Sequence, residues 1–294
     1  MKAYSSEKRR ERASYWVRSV IFLLISLLMI TPLILMVLTS LKTGEEASAA
    51  GFQLFPAKPQ FQNYLAVLTG SNWPLYLWNS VFVTVVTTAV SLVFNLLAGF
   101  AFSRLNFPLR KPLFYSVLIG LMVPMQVNLI PIFMILKSIP LLGGNNLLGQ
   151  GGTGAVNTLL GIMLPGMAGA FGIFLSRQFY MGFPRALDEA ARIDGAGCWR
   201  IFFSIYLPLS KPLLASLGVI KITSVWNDYI WPLICTYSEE VRTVQLALGM
   251  LKSTMVKWEQ LMAAATIVAL PLIIVFLSAQ RFFVEGIVTS GIKE

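Results

Sequence analysis

The sequence predicts an all-α integral membrane protein with six transmembrane helices and both termini in the cytoplasm. Three observations lead there. Of 294 residues, 56% are hydrophobic and 12% charged, against about 25% charged in a soluble domain, and the mean hydropathy is +0.72. Six stretches reach the roughly 20 apolar residues that a helix needs to cross the hydrocarbon core. Lys and Arg also fall unevenly on the two sides that those stretches define. Helices are expected because lipid leaves each backbone N–H and C=O to be satisfied within its own segment, and the alternating strands of a closed barrel are not visible.

The first span, about Ser19–Leu41, follows a basic N-terminus, residues 1–18. Ala47-Ser48-Ala49 looks like a signal cleavage site, but Lys42, Glu45 and Glu46 separate it from the apolar run. That run is also longer than the roughly 7–15 residues of a signal core, so it is expected to stay as an anchor. Residues Lys42–Trp78 mix Pro56, Pro59 and aromatics with a short helix over Phe61–Leu68. The next spans are Asn79–Ser103 and Pro112–Leu136, the latter interrupted by Pro124, Gln126, Asn128 and Pro131. Proline removes a backbone hydrogen bond and kinks a helix, so carbonyls near Gln126 and Asn128 either line a pathway or face a neighbouring helix. Leu142–Thr158 holds six glycines and three asparagines and reads as a mobile outer loop. Thr158–Ser176, Pro212–Ile234 and Leu261–Phe283 complete the membrane region, residues 19–284, before a tail over 285–294.

Placing the N-terminus inside puts Lys2, Lys8, Arg9, Arg10, Arg12 and Arg18 in the cytoplasm, with Arg104, Arg110 and Lys111 in the next inner segment. Arg177, Arg185, Arg192, Arg200 and Lys211 follow in the third, then Arg281 and Lys293. The outer segments hold only Lys42, Lys58, Lys137, Arg242, Lys252 and Lys257. Trp73, Trp78, Trp231 and Trp258 at outer boundaries, and Trp16 and Trp199 on the inner side, fit an aromatic belt. The net charge of +10 lies at span ends and forms no stripe with stacking aromatics, which excludes nucleic acid and suits the lipid bilayer. Cys198 and Cys235 fall on opposite sides and make no disulfide, and the absence of histidine removes the usual zinc ligand.

The inner segment 177–211 carries the chemistry. Pro184 suits a first helical turn, and Asp188 and Glu189 lie near that helix's positive end. Ala190 and Ala191 are small enough for another surface to approach the backbone, and Arg192 and Asp194 add charge. Gly195 accepts a positive φ and turns the chain into an aromatic second helix, Cys198–Ile205, before Pro208 and Pro212. A helix–turn–helix with a charged outer face is a docking knob, where a plain amphipathic connector on anionic headgroups would not carry Asp188, Glu189 and Asp194.

The spacing Glu189-Ala190-Ala191, three residues, Gly195, nine residues, Ile205-x-Leu207-Pro208 resembles the coupling loop of ABC-importer permeases at every position. Met122-Val-Pro-Met-Gln-Val-Asn-Leu-Ile-Pro131, Phe171–Phe179, Trp226–Pro232 and the tail Gly286–Lys293 look like the maltose-type, carbohydrate-uptake branch of that family. The resemblance implies a type I ABC-importer permease architecture and a second, usually different, permease subunit. It also implies an ABC ATPase dimer whose clefts take the coupling loops, and an extracytoplasmic binding protein. Glu189, Ala190, Ala191 and Gly195 would form the ATPase contact, with the tail near it. ATP and Mg would sit on the ATPase and no cofactor on this chain, consistent with the absence of the Gly-Lys that a phosphate-binding loop requires.

Charges within a span usually face an interior or a cavity. Lys221 and Asp228 are seven apart on the fifth span, hence on one face, and about 10 Å apart along its axis. Trp226, Asn227 and Asp228 offer a flat ring and hydrogen-bonding groups to a sugar, or else polarity for helix packing, and Lys221 sets specificity or pairs within a dimer interface. The candidate solute pathway is therefore Gln126, Asn128, Lys221, Trp226, Asn227 and Asp228. A glycerol phosphodiester is the alternative cargo. An ion-coupled transporter would show repeats and several intramembrane acids, and a membrane enzyme would need clustered carboxylates for a metal. Neither pattern is visible.

Overall fold

The computed structural model describes residues 2–49, 51, 53–251 and 256–291, with side chains described over 14–280 of these. Every regular element among them is helical. Three helices are long and apolar enough to cross a membrane, Ser14–Ser40, Trp73–Arg104 and Trp258–Gln280, and three bent helix pairs raise the number to as many as six. The side chains of the basic N-terminal residues up to Arg12, of Arg281 and of the tail Glu285–Glu294 lie outside the described residues, as does Lys252.

The chain divides into two compact units. The first holds residues 1–71 and 251–269. Its α1 (Lys2–Ser40) is followed by α2 (Gly44–Ser48), which Thr43 and Glu46 cap reciprocally. The amide of Asn63, on α3 (Gln62–Gly70), then donates to the carbonyls of Ser40 and Lys42.

The second unit is built on α4 (Trp73–Arg104). After α4 come α5 (Arg110–Met122) and α6 (Met125–Lys137), bent by 111° at their junction. The interruption expected in the span over Pro112–Leu136 is thus a sharp break between two half-helices rather than a kink. Pro124 disfavours helical backbone at the preceding residue, and Val123 is accordingly extended, with φ −82° and ψ 118°. Each half has 13 residues, about 20 Å of helix against about 30 Å of hydrocarbon.

The Leu142–Thr158 loop is also corrected: it is a tight knot rather than a loose connector. Asn145 donates to the carbonyls of Lys137 and Ile139 and accepts from the Gly152 N–H, and Ala155 is fully buried. A Cβ at Gly149, where φ is +74°, would stand 2.0 Å from the Ser138 carbonyl oxygen. Glycine density here serves close approach of backbone to backbone.

Next follow α7 (Leu159–Met163) and α8 (Ala170–Met181), which packs along α4. Gly99 on α4 admits Ser176, and Gly172 on α8 admits Asn95, so the two backbones cross closely. The inner segment forms α9 (Ala186–Ile193), α10 (Cys198–Ile201), a π-helical turn Phe202–Tyr206 and α11 (Leu207–Leu209). α12 (Lys211–Trp226) then runs against α4. It stops at Trp226, eight residues short of the expected end at Ile234, and α13 (Ile230–Cys235) starts afresh. Pro232 accords with this break, since its ring would crowd the carbonyl of Asp228, four residues back, in a continuous helix. Lys221 and Asp228 therefore do not share a helix face. The unit closes with α14 (Val244–Leu251) and the later part of α15 (Trp258–Gly291).

The expected aromatic belt holds only in part. Trp78 and Trp258 are exposed, but Trp73 and Trp231 are buried in the core, where the Trp231 indole donates to the Gly161 carbonyl.

Candidate functional site: a charged elbow and a polar chamber

Residues 184–208 form a folded elbow against the ends of α4, α8 and α12. At its turn the Ala196 N–H bonds to the Ala191 carbonyl and the Gly195 N–H to the Arg192 carbonyl. This is the paired arrangement that closes a helix through a left-handed residue, and Gly195 has φ +74°. The inner face is apolar. Ala191, Ile201, Phe202 and Tyr206 pack with Leu96, Phe100, Tyr180, Leu213 and Leu217. The π turn, closed by the Leu207 N–H on the Phe202 carbonyl, brings both Phe202 and Tyr206 into this core.

A buried polar knot runs through that face. Arg104 pairs with Asp188 at 3.1 Å, their side chains only 7% and 14% exposed. The same guanidinium donates to the carbonyls of Tyr180 and Phe183 and lies 5.4 Å from the centre of the Tyr206 ring. Tyr206 donates its hydroxyl to both Asp188 oxygens, at 2.8 and 3.0 Å. Burial, reinforced by that carboxylate, pushes the Tyr206 phenol above its ordinary pKa, so it stays a donor.

Two of the residues expected on the outer face are thereby corrected. Asp188 and Ala191 point into the body of the chain, and the surface that approaches Ala191 is the chain's own core. Glu189, Ala190, Arg192, Asp194 and Gly195 stay outward. They are joined by Ile193, 87% exposed, and by Trp199 and Phe203, which stack with ring centres 6.1 Å apart. The sequence reads Trp199 as part of an aromatic belt. In the sequence Arg104 counts only towards orientation, because its partner lies 84 residues away.

The second constellation lies between α4, α12 and α13. A chamber of about 260 Å³ is lined by Ser80, Thr84, Thr87, Ser224 and Thr243, with Lys221 and Asp228 as its two charged groups. The hydroxyls of Thr84, Thr87 and Thr243 are buried without a hydrogen-bond partner among the described residues. Buried polar atoms are normally satisfied, so three orphans around one cavity mark a place for a polar occupant. The two charges lie on one chamber without forming an ion pair among the described residues.

The other predicted pathway residues are not gathered there. Trp226 lines an apolar groove with Ile222, Val85 and Pro271. Asn227 is exposed, donates to the Thr223 carbonyl and accepts from Gln245. Gln126 is exposed and Asn128 half-buried, and Met125 is the α6 residue that reaches the chamber. The chamber threonines on α4 carry no signal in the sequence, because in an apolar span a threonine bonded to its own backbone looks the same as one facing a cavity.

Residues 93–288 match the family described as "Binding-protein-dependent transport system inner membrane component". The chain is 29% identical over 283 residues to an arabinooligosaccharides transport system permease protein of Halalkalibacterium halodurans, covering 95% of this chain and 96% of the relative. It is 33% identical over 273 residues to an sn-glycerol-3-phosphate transport system permease protein of Yersinia pestis bv. Antiqua, covering 90% and 92%. In fold it is similar to a chain of a bacterial ABC transporter involved in the import of the acidic polysaccharide alginate, with a TM-score of 0.78, 24% identity and coverage of 94% and 98%.

Proposed function

The chain belongs to the family of binding-protein-dependent transport system inner membrane components, and from that premise we propose that it is the permease subunit of an ABC importer moving a carbohydrate inward. Both termini and the elbow 184–208 face the cytoplasm, as the Lys and Arg distribution supports. Six spans, three of them built from bent pairs, pair with a second permease subunit. An extracytoplasmic binding protein delivers the solute, and an ATPase dimer holding ATP and Mg docks on the elbow. The observation that carries the reading is the two-sidedness of that elbow. Its inner face is locked to α4 through Arg104, while its outer face presents Glu189, Ala190, Arg192 and Asp194 around exposed Ile193, Trp199 and Phe203. An exposed apolar patch with a charged rim is the form of a protein contact.

A sugar is favoured over a glycerol phosphodiester by the chamber. Lys221 and Asp228 balance in charge, and the remaining polar lining is hydroxyl, which suits a neutral polyol better than an anion. The phosphodiester reading rests on the glycerol phosphate relative and on Lys221. Uptake by cells carrying Gly195→Val or Glu189→Lys tests the docking role. Both variants should insert normally and transport nothing, and normal ATP-driven uptake by both would refute it.

A further inference from the structure

We propose that the recess where α4 gives way to α5 binds the phosphate headgroup of an anionic phospholipid. The recess has a volume of about 840 Å³ and is lined by Arg110, Lys111, Arg177 and Asn106 against aromatic walls that include Phe102 and Phe114. No carboxylate among the described residues lines it. It lies where the apolar run of α4 ends at Arg104 and that of α5 begins at Arg110, which is headgroup depth for a chain that spans the bilayer.

The cations are arranged to receive an anion. Arg110 is fixed by neutral acceptors, donating to the carbonyls of Phe102 at 2.9 Å, Leu105 at 3.0 Å and Ser103 at 3.1 Å and to the Asn106 side-chain oxygen at 3.2 Å. Arg177 donates to the Phe102 carbonyl, and its guanidinium carbon lies 4.1 Å from the Phe114 ring centre. Lys111 is exposed and makes no hydrogen bond or ion pair among the described residues. Carbonyls and rings hold the two arginines in place without neutralising them, so three positive charges converge with no carboxylate among the described residues to balance them. Phosphate oxygens accept charge-assisted bonds from such a set, and basic pockets beside membrane helices take anionic headgroups.

A lipid rather than a free phosphate is indicated by what continues from the recess. Tyr115 and Ile119 sit one helical turn apart on α5, each 61% exposed, and Leu109 beside them is 69% exposed. That apolar track suits the acyl chains of a molecule whose headgroup sits among the cations.

The test is lipid retention by the purified transporter complex, read by native mass spectrometry after reconstitution with phosphatidylglycerol or phosphatidylcholine. Wild type should retain phosphatidylglycerol in preference to phosphatidylcholine. Lys111→Gln, at an exposed and unbonded site, should weaken retention about fivefold, the worth of one cation near a charged surface, whereas Lys58→Gln should not. Equal retention of the two lipids, or unchanged retention in Lys111→Gln, would overturn the proposal. So would displacement of phosphatidylglycerol by millimolar inorganic phosphate, which would make the recess a free-anion site.

Discussion

Arg104, the last residue of α4, holds Asp188 of the elbow at 3.1 Å across 84 residues of sequence. The pair fixes the elbow to the end of α4. A force applied to the outer face of α9 therefore reaches α4 through a charged and hydrogen-bonded joint as well as through apolar contact. Removing one partner from a buried pair leaves the other charge uncompensated, at a cost of about 3–5 kcal/mol. Arg104→Ala and Asp188→Ala should each lower the melting temperature of the purified complex clearly. The double variant should lose less than the sum of the two singles, a non-additivity that a double-mutant cycle measures.

Tyr206→Phe tests the same joint more gently. It keeps the ring in the Phe100–Tyr180 cluster and deletes only the hydroxyl that donates to Asp188. The loss should be about 1.5–3 kcal/mol, the range for a hydrogen bond to a charged group. The phenol's pKa is raised in the folded chain, so the contribution of this bond is fully present below the ordinary tyrosine value of about 10. It is lost only as pH rises through the higher folded value. Wild type and Tyr206→Phe should thus differ by a constant amount in denaturation experiments between about pH 6 and pH 9, and a difference that vanished within that window would contradict the bond.

Gly149 and Gly195 both adopt positive φ, yet they should respond differently to substitution. Around Gly195 nothing stands within 4 Å of a Cβ, so only backbone strain opposes a side chain. Gly195→Asn, which tolerates the left-handed region, should therefore retain much of the uptake that Gly195→Val loses. At Gly149 the Ser138 carbonyl occupies the position of a Cβ. Gly149→Ala should destabilise the chain by about 1–3 kcal/mol, the usual cost of overpacking, visible as a lower melting temperature and in no case as a gain.

The contrast between these glycines shows what could be read from the residues alone. Apolar length located the helices, and the Ala191–Gly195 spacing located the turn, because both are local rules. Proline signalled trouble near residue 124, but whether a helix kinks gently or folds back by 111° depends on what it packs against. Pro232 is a local signal against a continuous fifth span, which the length of the apolar run conceals. The Arg104–Asp188 pair and the glycine knot have no local signature. The pair exists because α8 runs back along α4 and carries the elbow to its end, whereas the knot closes on the end of α6, and composition alone made close packing at Gly149 look like looseness.

The orphan hydroxyls of the chamber give the sharpest test of the solute path. Thr84 and Thr87 sit one turn apart on α4, each with a buried oxygen that bonds nothing among the described residues. Replacing a threonine by valine normally costs stability because a hydrogen bond is lost. Here none is made, so Thr84→Val and Thr87→Val should melt at or slightly above the wild-type temperature. If a sugar passes through the chamber, the same variants should slow its uptake by about tenfold each, since a site built to bond a hydroxyl loses about 1–2 kcal/mol with the partner. Lys221→Gln and Asp228→Asn should each impair uptake by unbalancing the lining, and the double variant should recover part of it for a neutral sugar. Reduced uptake with intact stability would place the chamber on the path. Reduced stability with intact uptake would instead mean that these hydroxyls hold structural water.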